Sequence, residues 1–411
     1  MILKTADGIW KWTYSIDTKG DYMNLFQNAA EKLEKEYQLF LDYFELNEVQ
    51  LSKRTGHIGK KDCFALNGLF DIVREKYLSY GRMQDYYTVI DFFYFFSIRT
   101  GILQVMSKKG KSMTVQKGQR YSIFFHMSAM ERYILMMTIW LGEYQEALGD
   151  SRSSFMRGRI FEVIRKAREE EALLDPFRGR IASPWGSHYI PEIRLFALFQ
   201  LLRIEWLEDK EENKDNKFRI KTLYLTEEGY VWKDLLEKQD RVFGYNPDVS
   251  TVLSTIRNVV RDDTVNMEEK LMGFWAYPVE AGSHTIKFKI TIGSCIRKIT
   301  IGDQFTLEEL HYLIQKSVGF DMDHLYYFQI GSGTSQRRYY APECKDEIWQ
   351  ADTVLLAELL PYEGMQFGYL FDFGDEWYFQ ITVERILNEH TQECEISEVK
   401  GEAPVQYGCD W

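Results

Sequence analysis

Three polar side chains near the carboxy terminus stand where they could do chemistry. Asp372 and Asp375 flank Phe373-Gly374, and His324 lies upstream. Two carboxylates and an imidazole drawn together would make a small acidic pocket, able to hold a metal or pass a proton. Trp377 follows directly and would wall it. The same residues fit a plainer arrangement. Phe367, Tyr369, Phe371 and Phe373 alternate, and so should share one face of a strand. Asp372 would then face the other way, Gly374-Asp375 would form a hairpin turn, and Trp377 would close an aromatic core.

A second set has the chemistry of phosphate binding. Lys108, Lys109 and Lys111 crowd a glycine turn, and Arg157, Arg159, Arg165, Lys166 and Arg168 fall within one helical pattern. Cations on a turn tip or a helix neutralise backbone phosphates without reading bases. An acidic loop over 208–212 would repel phosphate, so the partner of this region is either DNA or a protein.

These residues need elements to hold them. The sequence predicts a helix over 24–50, a turn-rich lead from Leu51, and helices from Asp62 to about Ser79 and from Tyr86 to Arg99, stopped by Gly101. The runs 102–106 and 113–115 flank the lysine turn and read as a hairpin. Helix, helix and basic-tipped hairpin resemble a winged helix. A similar order recurs: helical 155–171, an apolar helix over 191–202, an edge strand over 217–221, and a helix opened by Thr226 with Glu227 and Glu228 at its positive end. Residues 246–283 read as a helical connector.

Beyond it, Ile286, Phe288, Ile290 and Ile292 alternate with polar residues, giving a strand. Residues 297–301 give a second. Thr306 and Glu309 have capping-box spacing for a helix to about Val318. Residues 326–330 give a third strand, 354–360 a short helix, and 367–373 with 377–383 a hairpin. The expected fold class is α+β and multidomain, with a mainly helical amino-terminal region of winged-helix-like units and a β-grasp-like carboxy-terminal domain. The expected segments are 1–145, 146–245, 246–282 and 283–411.

In the last third, Arg297-Lys298-Ile299, Thr306-Leu307-Glu308-Glu309-Leu310-His311, Gly319-Phe320-Asp321, His324-Leu325-Tyr326-Tyr327-Phe328 and Asp372-Phe373-Gly374-Asp375-Glu376-Trp377 follow in order. Order and spacing resemble the plasmid pRiA4b ORF-3-like family, over roughly 284–411. That resemblance implies a mobile-element association, since the family is also met as passenger proteins of insertion elements, and it implies no agreed activity. The family pattern has a glycine after the second aspartate and a histidine two residues after the tryptophan. Glu376 and Phe379 stand there instead, which weakens any metal or acid-base role carried over. Cys409 matches the family's terminal cysteine, but its usual partner is missing.

Composition narrows the rest. The chain has 411 residues, 45% hydrophobic and 15% aromatic, enough for several cores. A net charge of −12 argues against a surface basic throughout. The 5 cysteines form no Cys-x-x-Cys pair, and the amino terminus has no apolar signal core, so a reduced, cytoplasmic chain is expected. The longest apolar run, 133–141, is less than half of the ~20 residues a bilayer needs, so no membrane association is expected. No kinase, P-loop or dinucleotide motif is complete. His57, His126, His188, His284, His311 and His390 lack ligand spacing, and His311 should pack at the core edge. No cofactor and no metal is expected. The sequence favours a non-enzymatic binding protein with a protein or DNA partner; the alternative is a metal-dependent or nucleic-acid-processing enzyme using Asp372, Asp375 and His324.

Overall fold

The computed structural model describes residues 2–4, 10–12, 19–52, 55–72, 74, 80–107, 113–144, 190–206, 220–238, 249–260, 270–271, 274, 281–331, 337–345, 347 and 349–407. The chain is α+β. It divides into two compact units. The first takes Met1–Asn47, Lys60–Ser97 and Ser122–Trp275; the second takes Glu48–Gly59, Ile98–Tyr121 and Ala276–Trp411.

The first unit is built on helices. A short pairing of β1 (Ile2–Lys4) with β2 (Trp10–Trp12) precedes α1 (Lys19–Leu46), longer than the expected 24–50 at its start. α2 spans Lys60–Leu69 and stops well short of Ser79. The cause lies on α1. Glu36 is fully buried, and its carboxylate accepts the backbone N–H groups of Asp71 (3.2 Å) and Ile72 (3.0 Å), which a continuing helix would have kept for itself. Burial still holds the Glu36 carboxyl above the usual carboxylate range. After a 3-10 turn (Gln84–Tyr86), α3 (Thr88–Arg99) supplies Phe92, Phe93 and Phe96 to a core shared with Tyr37 and Phe40 of α1. Tyr37 meets Phe93 edge-on at 5.0 Å and shares a 2.7 Å hydrogen bond with Ser97.

α4 (Tyr121–Phe125) leads into α5 (Ala129–Ile139), which opens on a capping box: Ser128 accepts from the Glu131 amide, and Glu131 accepts from the Ser128 amide. The apolar run read as a buried helix lies in α5 and in the π-turn Trp140–Tyr144 that follows. α6 (Ile190–Leu198) is shorter than 191–202, because Gln200 turns left-handed (φ 60°) and β6 (Leu202–Trp206) begins. β6 pairs antiparallel with β7 (Ile220–Leu225). Thr226 caps α7 (Glu227–Lys238) as expected, its hydroxyl accepting from the Gly229 amide at 3.0 Å. α8 (Val249–Val260) buries Val252, Leu253, Ile256 and Val259. No helix among the described residues is long and apolar enough to cross a membrane.

The second unit holds two sheets. The small one has the order β3 (Gln50–Leu51), β5 (Met113–Lys117), β4 (Leu103–Ser107), so the expected hairpin gains a third strand from the lead near Leu51. Gly101 stands in the left-handed region (φ 72°), as the predicted helix stop requires. The large sheet has seven strands: β8 (Thr285–Ile292), β9 (Cys295–Gly302), β10 (Tyr326–Ile330), β11 (Arg337–Tyr340), β12 (Gln366–Phe371), β13 (Trp377–Leu387) and β14 (Glu395–Lys400). Their spatial order is β11-β10-β12-β13-β8-β9-β14, antiparallel at every pairing. β11 and β14, both edge strands, were not foreseen. β14 pairs with β9 through a bulge between Ile396 and Glu398.

α9 (Leu307–Val318) packs on one side of this sheet. Its capping box forms as the sequence predicts: the Thr306 hydroxyl accepts from the Glu309 amide (3.1 Å), and the Glu309 carboxylate accepts from the Thr306 amide (2.7 Å). Gly319 ends it at φ 75°. Leu307, Leu310 and Ile314 share one hydrophobic core with Ile299, Ile301, Phe328 and Phe379. A 3-10 turn (Leu356–Leu359) stands where a short helix was expected over 354–360.

Candidate functional site

The turn between β12 and β13 carries Asp372 and Asp375. β12 ends at Phe371, so the alternation stops there. Phe367, Tyr369 and Phe371 are buried as predicted, whereas Phe373 is 44% exposed. The reason is the backbone of Asp372, left-handed at φ 61°, which breaks the period-two pattern. Aspartate tolerates this region because its side chain can bond locally. Asp372 Oδ1 accepts from the Gly374 amide (2.8 Å) and, longer, from the Asp375 amide (3.4 Å). The main chain is fixed on both sides: Asp372 donates to the Leu325 carbonyl (2.9 Å), and Glu376 donates to the Asp372 carbonyl (2.8 Å).

Asp372 is buried, and its second oxygen meets His324. The Nε2 of His324 stands 3.4 Å from Asp372 Oδ2 and 3.6 Å from Asp323 Oδ1. The structure therefore brings His324 and Asp372 together. Asp375 is exposed and contributes its amide to the turn, while its carboxylate stays outside the pair. Trp377 is half-buried, with its ring edge-on to Phe320 at 5.3 Å. Its buried indole Nε1 has no hydrogen-bond partner among the described residues.

Two members of this cluster come from the chain's end. The Tyr407 hydroxyl donates to both oxygens of Asp323 (3.0 and 2.9 Å), and Gln406 donates to the Asp321 carbonyl (3.2 Å). The hydrogen bond to Asp323, backed by the nearby Asp321 and Asp372 charges, pushes the Tyr407 hydroxyl up to about 12. These residues lie 83 to 85 positions from their partners, so no local pattern announced them. The arrangement can hold a turn and a chain end together through charge. Among the described residues, no group of three or more His, Cys, Asp or Glu side chains is placed to hold a metal ion.

A second polar cluster lies under α9. The Nδ1 of His311 and the Tyr369 hydroxyl are 2.6 Å apart, and Gln315 donates to that hydroxyl. His311 stacks on Tyr326 at 3.8 Å and 7°. It is 3% exposed, deeper than the core-edge position expected of it. Burial lowers its imidazole to about 3, so it is neutral, and raises the hydroxyls of Tyr326 and Tyr369. The buried Tyr326 hydroxyl and Gln315 Oε1 have no hydrogen-bond partner among the described residues.

Lys108, Lys109, Lys111, Arg157, Arg159, Arg165, Lys166 and Arg168 all lie outside the described residues, as does the helix expected over 155–171.

No curated protein matches this chain. Part of the chain is similar to the crystal structure of a protein of unknown function, MM3350 from Methanosarcina mazei Go1, at 21% identity over 29% of this chain and 70% of that one, with a TM-score of 0.24. The ordered motifs of the carboxy-terminal third have a firmer counterpart: residues 284–406 match the family model described as plasmid pRiA4b ORF-3-like protein, and the chain thus ends in a domain of that kind.

Proposed function

We propose that the chain is a non-enzymatic binding protein, with the ORF-3-like domain as one binding module and the helical region as another. The observation that carries this reading is the use already made of Asp372. One of its oxygens holds two turn amides and the other faces His324, so the carboxylate has structural work. The order α6, β6, β7, α7 supports winged-helix-like character in the first unit, whereas β4 and β5, the hairpin expected to complete such a module with α2 and α3, belong to the second. Such units take DNA or a protein as partner. The start β8, β9, α9 supports a β-grasp-like label for the last domain. The free thiols of Cys295, Cys344 and Cys394 fit a reducing cytoplasm.

The test is elemental analysis of the purified full chain, with a parallel pull-down in which captured nucleic acid is sequenced and captured protein identified. The binding reading expects substoichiometric metal and a reproducible partner. A tightly held stoichiometric metal would instead favour the enzyme that uses Asp372, Asp375 and His324.

A further inference from the structure

The side of the seven-stranded sheet turned away from α9 carries rings and cations in an unusual arrangement. Strand register places Tyr340, Tyr327, Leu370 and Tyr378 side by side across four strands. Tyr378 is 48% exposed, and Phe373, on the adjoining turn, is 44% exposed. The Tyr378 ring lies along the sheet over Gly368. A Cβ on that glycine would fall 2.3 Å from the Tyr378 hydroxyl oxygen and 2.8 Å from the ring carbon bearing it. Gly368 is not among the residues with positive φ, so the backbone does not require glycine there; the missing side chain makes room for the ring. One side of Tyr378 thus rests on the backbone and the other turns outward. Beside it, the Tyr327 ring lies 5.5 Å from Tyr340 and 5.8 Å from Phe373, with the Arg338 guanidinium 4.8 Å above it.

Charge sets this face apart. Its register positions hold Arg338, Lys287, Lys289, Lys298, Arg385 and Lys400, against Glu395 and Glu398, with Glu384 at the β13 bulge. Lys298 already engages Glu384 (3.2 Å) and Glu398 (3.1 Å). Cations outnumber carboxylates at these register positions, with Glu347 near Arg338 and with Asp375 and Glu376 exposed on the turn that carries Phe373, whereas the whole chain has 62 acidic and 50 basic residues.

We propose that this face binds a single-stranded nucleic acid, its bases stacked on Tyr378 and the Tyr327–Tyr340–Phe373 cluster and its phosphates met by Arg338 and the lysines beyond. The proposal rests on the binding-protein reading and names a ligand for it. A duplex hides the flat sides of its bases; a single strand offers one per nucleotide, and any base has such a side. Arg338 can leave Tyr327 and stack on a base instead, since a guanidinium is planar.

The experiment uses the full chain and fluorescein-labelled 12-mers of deoxythymidine and of uridine, read by anisotropy at several salt concentrations, with a DNA duplex as competitor. The expected result is binding of one or both strands, weakened by salt and displaced poorly by duplex. Tyr378→Ala and Tyr327→Ala should each weaken it about tenfold. Tyr378→Phe should keep it. Gly368→Ala, which removes no ring and no charge, should weaken it by lifting the Tyr378 ring. Thermal unfolding of each variant separates lost binding from lost fold, and Tyr378→Phe against Tyr378→Ala keeps the test decisive if Gly368→Ala unfolds. No binding of either strand by the wild type overturns the proposal and leaves the binding-protein reading to its own pull-down. Affinity unchanged in Tyr378→Ala and Tyr327→Ala also overturns it, and loss in a Lys108→Ala, Lys109→Ala, Lys111→Ala variant would then assign binding to the amino-terminal region.

Discussion

The ORF-3-like domain contains two histidines in opposite situations. His311 is sealed beneath α9, stacked on Tyr326 and bonded to a buried tyrosine. His324 stands at the surface between two carboxylates. Low dielectric keeps the first uncharged and makes each of its hydrogen bonds costly to lose. Water screens the second, so its contacts with the carboxylates are weak, and what they secure is a local conformation. Polar residues near one another in a fold can thus serve as core or as clasp, and burial decides which.

The largest effect that sharpens this contrast is Tyr369→Ala. The ring is fully buried, so its loss should cost about 3–5 kcal/mol in urea unfolding of the full chain. Tyr369→Phe keeps the ring and strands His311 and Gln315, for about 1–3 kcal/mol. If Tyr369→Phe is neutral, the buried cluster is packing alone.

Acid should act next. Unfolded His311 takes up a proton below about 6.5, and folded His311 resists until about 3. The folded state then binds fewer protons across that window, so stability is full above about pH 6.5 and falls as pH drops. The slope is about 1.4 kcal/mol per pH unit, or about 2 kcal/mol between pH 6.5 and 5. His311→Gln should flatten this part of the profile. An unaltered profile in that variant would place the acid sensitivity elsewhere.

Asp372 gives smaller numbers. Asn keeps the local acceptor and tolerates the left-handed backbone, so Asp372→Asn should cost about 1 kcal/mol or less. Asp372→Ala loses both and should cost about 2 kcal/mol. Equal losses for the two would mean that the charge, not the turn, matters. Trp377→Ala should cost more than either, at about 3 kcal/mol, because the half-buried ring packs edge-on against Phe320. The smallest effect belongs to the surface: Asp323→Asn should leave unfolding unchanged and bring the late-titrating Tyr407 hydroxyl down toward 10 in an ultraviolet pH titration.

Local chemistry explains what was legible in the sequence. The capping box at Thr306 and Glu309, the stop at Gly319 and the alternation from Ile286 to Ile292 each need only a few neighbouring residues. The α2 boundary was not legible, because a carboxylate from α1 takes the amides that would have extended it. Phe373 was misplaced on the core face because one left-handed aspartate resets the alternation. β14 escaped notice because Ile396 and Val399 are its only apolar residues, and Val399 is 64% exposed. At the candidate site, Asp372 and His324 carried residue types that stand out in the sequence, while Asp323 and Tyr407 meet only through the tertiary fold.

β14 has a consequence for how the protein behaves in crowded solution. A strand bonded on one side only offers its other side to any extended peptide, and sheets joined edge to edge grow into fibres. Here the rim alternates Glu395, Glu398 and Lys400 with little apolar surface, and the bulge after Ile396 throws the spacing of donors and acceptors out of step. An incoming strand would find neither a straight ladder nor a greasy stripe to follow. Among the described residues, this margin of the sheet is therefore a poor template for an added strand.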